Sequence, residues 1–300
     1  MRPIVAALRA VLGTPPVPEG SWEREAVYVS TAALRRAAGR PVPAVAEELA
    51  ARLRSVPGVR AVQARPNGFL VIELAVPGMI VPEILAEPPP PAPAHGGPLT
   101  APWPDRPRGW SNPGFAVRYA YVRAGSVQRW ARDLGLGAAL WPEPGLAVAS
   151  DAAVSDAAMS DAGASDAEAS DTGASDAGAP DAGASEESQA EPGLAGVPGE
   201  SQGAPAAFRG ESLDDRRDRA VLRVLAELPS RRAGRDSGRP AYLERLAWAY
   251  HEAFEHAPAI PMGDQAPTGT HVARLWMARA VRKVLGEELT ELGQTLPGKI

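Results

Sequence analysis

The sequence predicts an α+β protein, in which a small N-terminal α/β domain precedes an all-α helical bundle. Residues 1–86 mix helical spacing with two short apolar runs bounded by Asn-Gly and Pro-Gly pairs. Residues 112–134 and 212–300 carry helical spacing alone. Two stretches that cannot bury a core interrupt them: a proline-rich linker over 87–111 and an acidic repeat inserted at about 146–207.

In the first block, Ile4, Val5, Leu8 and Leu12 suit a short amphipathic helix, and TPPVPEG is a turn. The stretch from Tyr28 reads as a helix, a proline break and a second helix, with Val45, Leu49 and Leu53 spaced four apart. Two strands joined by a turn follow. One begins at Val59 and Val62, and the other runs from Phe69 to Val76 between Asn67-Gly68 and Pro77-Gly78. From Pro88 to Trp110 proline density enforces extended, semi-rigid chain.

The most patterned stretch is 112–127, NPGFAVRYAYVRAGSV. Asn112 suits a helix cap and Pro113 the first helical position, where a missing amide hydrogen costs nothing. Phe115, Tyr119, Val122, Ser126 and Trp130 share one face, expected to be the buried one, with Arg118, Arg123 and Arg129 on its flanks. From Ser150 to Glu186 the chain repeats every five residues around Ser-Asp, a period that fits neither helix nor strand. With so few large apolar side chains, this insertion is expected to stay disordered.

Helices resume at Ser212, which with Asp215 forms a capping-box pattern, and Pro229 is expected to end that helix. A second carries Tyr242, Leu243, Leu246, Tyr250 and Phe254, and a third runs from about Thr270 to Leu292, stopped by Gly293. Arg274 falls on the apolar stripe of the third helix with Ala278, Val281 and Leu285. It either snorkels outward from the first turn, the expected outcome, or holds a carboxylate or phosphate.

With 300 residues and no cysteine, the chain is long enough for about two domains and fits a reducing cytosol, with no disulfide framework or thiolate metal site. No apolar run approaches a membrane span, so a cytoplasmic protein without membrane contact is expected. The basic residues are 29 arginines and two lysines, a bias that a GC-rich coding sequence explains. Their distribution says more. Residues 133–208 hold 14 acidic and no basic residues, leaving 31 basic and 22 acidic residues for the rest, a balance compatible with an RNA-binding body.

Catalytic and cofactor patterns are missing from the sequence. His251 and His256 are five apart, roughly 140° around a helix, so they do not make the aligned pair that zinc needs. They are expected to be solvated or core-edge groups. No glycine-rich phosphate loop follows a strand, and no cofactor is expected.

The stretch around Arg118-Tyr119-Ala120-Tyr121-Val122-Arg123 resembles the opening helix of the anticodon-binding (DALR-type) bundle of arginyl-tRNA synthetases, commonly Gln-Tyr-Ala-His-Ala-Arg. The three later helical segments resemble the helices that follow in that bundle, down to Leu292-Gly293 and Pro297 with Lys299-Ile300 at the end. The first block resembles the N-terminal domain that those synthetases apply to the tRNA elbow: Tyr28, Ser30, Thr31 and LRRAAG match its start, and NGFLVI matches its Pro-Gly-Phe-Ile-Asn-Phe strand. Val71 stands where that family has asparagine. The catalytic domain would lie in place of the linker, and neither the His-x-Gly-His turn nor the Lys-Met-Ser-Lys loop occurs in the chain.

That resemblance implies a non-catalytic tRNA-binding protein with an arginine isoacceptor as its expected partner, the bundle on the anticodon arm and the N-terminal domain at the elbow. The residues it nominates are Gly68, Phe69, Arg118, Tyr119, Arg123, Arg274, Arg279, Arg282 and Lys299. Two alternatives stand beside it: a protein-interaction scaffold that has lost RNA, and arginine–tRNA ligation supported by a catalytic subunit in trans. Convergence of Arg118, Arg123, Arg279, Arg282 and Lys299 on one surface is what separates an RNA binder from a scaffold.

Overall fold

Helix α1 (Ile4–Leu12) buries Ile4, Val5, Leu8 and Leu12 and ends at Gly13, whose left-handed backbone (φ 81°) returns its amide to the Arg9 carbonyl. Pro3 cannot cap it, and the Glu83 carboxylate does so from elsewhere in the chain, accepting from Val5 N at 3.0 Å and Ala6 N at 2.9 Å. The computed structural model describes residues 3–89, 103–104, 106–136, 208–234 and 238–298. The acidic repeat, much of the linker and Lys299 lie outside the described residues.

Strands β1 (Val17–Glu19), β2 (Val27–Ser30), β3 (Val59–Ala64) and β4 (Leu70–Leu74) form an antiparallel sheet in the order β1-β2-β4-β3. Tyr28 pairs with Ile72, and Ile72 with Val62, so one face carries buried Tyr28, Leu70, Ile72 and Leu74. Helices α2 (Ala32–Arg36) and α3 (Val42–Arg54) lie between β2 and β3, and α4 (Ile80–Ala86) follows a 3-10 turn at Pro77–Met79. The fold departs from the sequence pattern in three places. TPPVPEG contains β1 as well as a turn, Tyr28–Ser30 is strand rather than helix, and α4 is a helix the spacing does not predict. β1 is a three-residue edge strand holding Pro18, where the missing amide does no harm but the strand pattern is hidden.

The bundle consists of α5 (Pro113–Asp133), α6 (Arg216–Leu225), α7 (Leu228–Ala233), α8 (Arg239–His256) and α9 (Gly269–Glu291). α5 packs on both α8 and α9. The α6 cap is Asp215, which accepts from Arg217 N at 2.8 Å; Ser212 instead closes a 3-10 turn. α6 already ends at Leu225, and Pro229 starts α7, a first-turn position that tolerates its missing amide. Gly293 terminates α9 as expected, with φ 68°.

One hydrophobic core runs through the sheet, α1–α4 and the bundle. The seam needs glycine on both sides: a Cβ added at Gly78 would sit 2.3 Å from the Gly210 carbonyl oxygen. Arg223 Nε donates to the Gly20 carbonyl at 2.8 Å across the same boundary, and Arg232 joins Glu87 to Glu287 and Glu288.

Candidate nucleic-acid interface

The buried side of α5 is the reverse of the one expected. Ala116, Val117, Ala120, Ala124, Val127 and Ala131 face the core, and small side chains there let α8 and α9 approach closely. The bulky row is therefore left outside the core, with Phe115 and Tyr119 half-buried and Trp130 50% exposed. Reading the large residues as the core face fails because alanine supplies the contact instead.

This half-buried row is the spine of an aromatic platform. Phe115 and Tyr119 stack at 5.5 Å with 21° between their planes. Trp110, just before the helix, meets Tyr119 at 5.6 Å and Trp248 of α8 at 5.4 Å. Trp110 and Trp248 remain 45% and 40% exposed, so their rings present open faces despite these contacts. Asn112 fixes the entry of the chain: its Oδ1 accepts from Gly114 N and Phe115 N while its Nδ2 donates to the Pro104 and Pro107 carbonyls.

His251 supports the platform from below. Its ring is 4.9 Å edge-on from Trp110 and only 3% of the residue is exposed. Nε2 lies 3.0 Å from the Ala116 carbonyl, which can only accept, so Nε2 carries the proton. Nδ1 then accepts from Arg123 Nη1 at 3.3 Å. Burial, together with the Arg123 charge, pushes the imidazole down to about 4 against the opposing pull of the Ala116 bond. The ring is thus neutral near pH 7.

Arg123 is built into the same assembly. Its guanidinium lies over Tyr119 at 4.5 Å and Phe254 at 4.6 Å, and pairs with Glu255 at 2.8 Å. That pairing holds the Glu255 carboxyl below its usual range. Arg118 clamps the start of α5, donating to the Gly114 and Trp103 carbonyls and to Gln294 Oε1 at 2.9 Å. Arg282 of α9 lies over Tyr121 at 5.2 Å, close to Arg129 of α5.

The structure brings Arg118, Tyr119, Arg123 and Arg282 together on and around α5, while the other nominated residues have different surroundings. Arg274 does not snorkel outward. Its Nε lies 3.0 Å and 3.2 Å from the oxygens of Asp218, and Nη1 donates to the Pro258 carbonyl. Asp218 has no exposed surface, and burial pushes its carboxyl up to about 6 in spite of Arg274. Arg279 is half-buried on α9 and has an interaction partner. Gly68 (φ 82°) and Phe69 form the β3–β4 turn, where Asn67 Oδ1 accepts from Phe69 N. A Cβ at Gly68 would lie 2.3 Å from Val42, so that glycine has a steric reason of its own.

Sequence reasoning misses Trp110, Trp248 and His251. Trp110 falls in the stretch that reads as linker, Trp248 shares a helix whose apolar stripe draws attention away from it, and His251 is expected in solvent or at the core edge. Asn112-Pro113 next to Trp110 is the available signal, since a cap fixes the residue before it. Beside the platform a mostly apolar cavity of about 280 Å³ opens between Trp130, Phe254, Met262 and Met277, with Arg274 on its wall. Among the described residues there is no cluster of three or more potential metal ligands and no helix long and apolar enough to cross a membrane.

No family model matches the chain, and no solved structure matches it significantly. The sequence is similar to an arginine–tRNA ligase of Clavibacter sepedonicus, 34% identical over 99 residues. The match covers 31% of this chain and 18% of the relative's length. The chain thus shares part of its sequence with an arginine–tRNA ligase.

Proposed function

We propose that this protein binds tRNA without aminoacylating it, gripping the RNA through the exposed side of α5. The observation that carries the proposal is the surface platform of Trp110, Phe115, Tyr119 and Trp248, with Arg118 and Arg282 on neighbouring positions. The exposed Trp110 and Trp248 rings can stack on unpaired bases, and guanidiniums beside them neutralise phosphate. The partial similarity to an arginine–tRNA ligase makes tRNA, with an arginine isoacceptor first, the RNA to test. The missing His-x-Gly-His and Lys-Met-Ser-Lys patterns support the non-catalytic part of the reading.

Filter binding against total tRNA, followed by sequencing of the bound species, tests it. With roughly four phosphates contacted, log affinity falls with log salt at a slope of about −3 to −4. Trp110→Ala and Trp248→Ala each weaken binding by about 1–3 kcal/mol while leaving the thermal midpoint near that of the parent. Arginine-dependent ATP–pyrophosphate exchange stays at the no-enzyme level. Undetectable binding at low salt, or robust exchange, defeats the proposal.

The scaffold reading has one observation in its favour. Arg123 and Arg274 are satisfied by Glu255 and Asp218, so two expected RNA contacts already have internal partners. On that reading the tryptophan variants lose a protein partner and tRNA does not bind.

A further inference from the structure

Gly125 sits in the middle of α5, where glycine costs about 1 kcal/mol relative to alanine. What occupies the space of its missing side chain is positive charge. A Cβ placed there would lie 3.3 Å from Arg282 Cζ and Nε and 3.4 Å from Arg129 Nη1. Two guanidiniums from different helices therefore lie against the same glycine and come within about 7 Å of each other, a distance at which like charges repel.

Neutral groups hold both in place. Arg129 Nη2 donates to Ser126 Oγ at 2.8 Å, and Ser126 in turn donates to the Val122 carbonyl at 3.0 Å. Arg282 lies over the Tyr121 ring, which is itself seated against Gly286: a Cβ at that glycine would be 3.1 Å from the ring. Among the described residues, neither arginine has a carboxylate within ion-pair distance. By contrast, Arg123, Arg232 and Arg274 in the same bundle each have one or more.

We infer that Arg129 and Arg282, lying together against Gly125, form a binding site for a phosphate oxyanion, and that its occupant is a backbone phosphodiester of RNA. Two neighbouring guanidiniums held by neutral partners suit an oxyanion, and both are pre-positioned, so little side-chain freedom is lost on binding. Glycine at 125 lets the Arg282 guanidinium lie close against α5, beside Arg129. The choice of RNA phosphate over free phosphate rests on the function proposed above; the oxyanion site itself rests on the geometry alone.

The test has two arms, run on the full chain. In the first, tRNA affinity is measured against salt for the parent, for Arg129→Gln with Arg282→Gln, and for Gly125→Glu. Gly125→Glu supplies a carboxylate in place of the phosphate and keeps both arginines neutralised in the fold, so its thermal midpoint holds. Expected is a roughly tenfold loss of tRNA affinity at low salt in both variants, with the log–log slope smaller by about 0.9. Normal tRNA binding with an unchanged slope overturns the site and leaves the RNA reading standing.

The second arm titrates inorganic phosphate and follows the arginine Nε–Hε resonances by NMR. Saturable shifts at Arg129 and Arg282 that vanish in Gly125→Glu support the oxyanion site, whatever tRNA does. If the parent also fails to bind tRNA, those shifts assign the site to free phosphate and overturn the RNA assignment. Absence of shifts, with no tRNA effect in the variants, overturns both.

Discussion

His251 and Asp218 make the folding stability respond to pH in opposite directions, and two substitutions separate them. His251 ionises near 4 in the folded protein against 6.5 for the free side chain. Between those values the unfolded chain holds a proton that the folded one lacks, so stability rises with pH. With each pH unit between the two values contributing ~1.36 kcal/mol, His251 accounts for about 3 kcal/mol, fully present above pH 6.5 and lost as pH falls towards 4. Asp218 is the reverse. Its carboxyl ionises near 6 when folded against 3.8 for the free side chain, so the folded state holds the extra proton and stability falls by about 3 kcal/mol as pH rises from 3.8 to 6. Between about pH 4 and 6 the two contributions cancel in the parent.

His251→Gln keeps an amide donor for Ala116 and an acceptor for Arg123 but cannot titrate. Urea unfolding at intervals from pH 4 to 8 should show the parent losing about 3 kcal/mol relative to this variant as pH drops from 6.5 to 4. Asp218→Asn keeps a carbonyl acceptor for Arg274 but cannot titrate. Its difference from the parent should change by about 3 kcal/mol in the opposite sense between pH 4 and 6. Comparing each variant with the parent cancels the other titrating groups, among them Glu83, which is raised, and Glu227, which is lowered. A His251→Gln difference that stays flat from pH 4 to 7 would falsify the neutral, Nε2-protonated imidazole beneath the platform.

Gly78→Ala forces a methyl into the Gly210 backbone and should cost about 1–3 kcal/mol, seen as a lower urea midpoint at unchanged slope; an unaltered midpoint would show that the seam can relax. Arg274→Ala strands the Asp218 carboxyl in the core and should destabilise by about 3–5 kcal/mol, whereas Arg274→Ala together with Asp218→Ala should recover part of that loss in thermal melts. If the double variant is no more stable than the single one, the pairing is not what Arg274 contributes.

The helices are legible wherever large apolar residues do the packing. Leu8 and Leu12, Leu49 and Leu53, or Leu243 and Leu246 repeat at helical spacing and are buried as expected. α5 misleads because two periodicities run along it, one of alanine and valine and one of aromatics, and size favours the wrong one. The β1–β2 pair escapes because Pro18 masks a strand and because Trp22, buried with φ 63°, lies in a connection that looks like a polar loop. Its ring is 5.4 Å edge-on from Tyr28, and its Nε1 donates to the Val27 carbonyl, an arrangement that neither helical nor strand periodicity encodes. Asp218 and Arg274 are 56 positions apart, so their pairing is equally out of reach.

Arginine alone does not distinguish a structural role from a binding one; partners do. In the bundle, Arg232 is held by Glu87, Glu287 and Glu288, Arg239 by Glu288 and Glu291, and Arg274 by Asp218, all at element junctions where a free guanidinium would cost stability. Their charges are cancelled within a few ångströms and exert little field outside. Arg118, Arg129 and Arg282 are instead held by carbonyls, a hydroxyl, an amide and a ring, all neutral, so their charge remains available to an external anion. All three lie on or against α5, the helix that also lifts the aromatic platform out of the core. A bundle needing only internal stability would gain by placing carboxylates there, as it does around Arg232. Leaving the charge uncancelled beside open aromatic faces is what an RNA-binding surface requires.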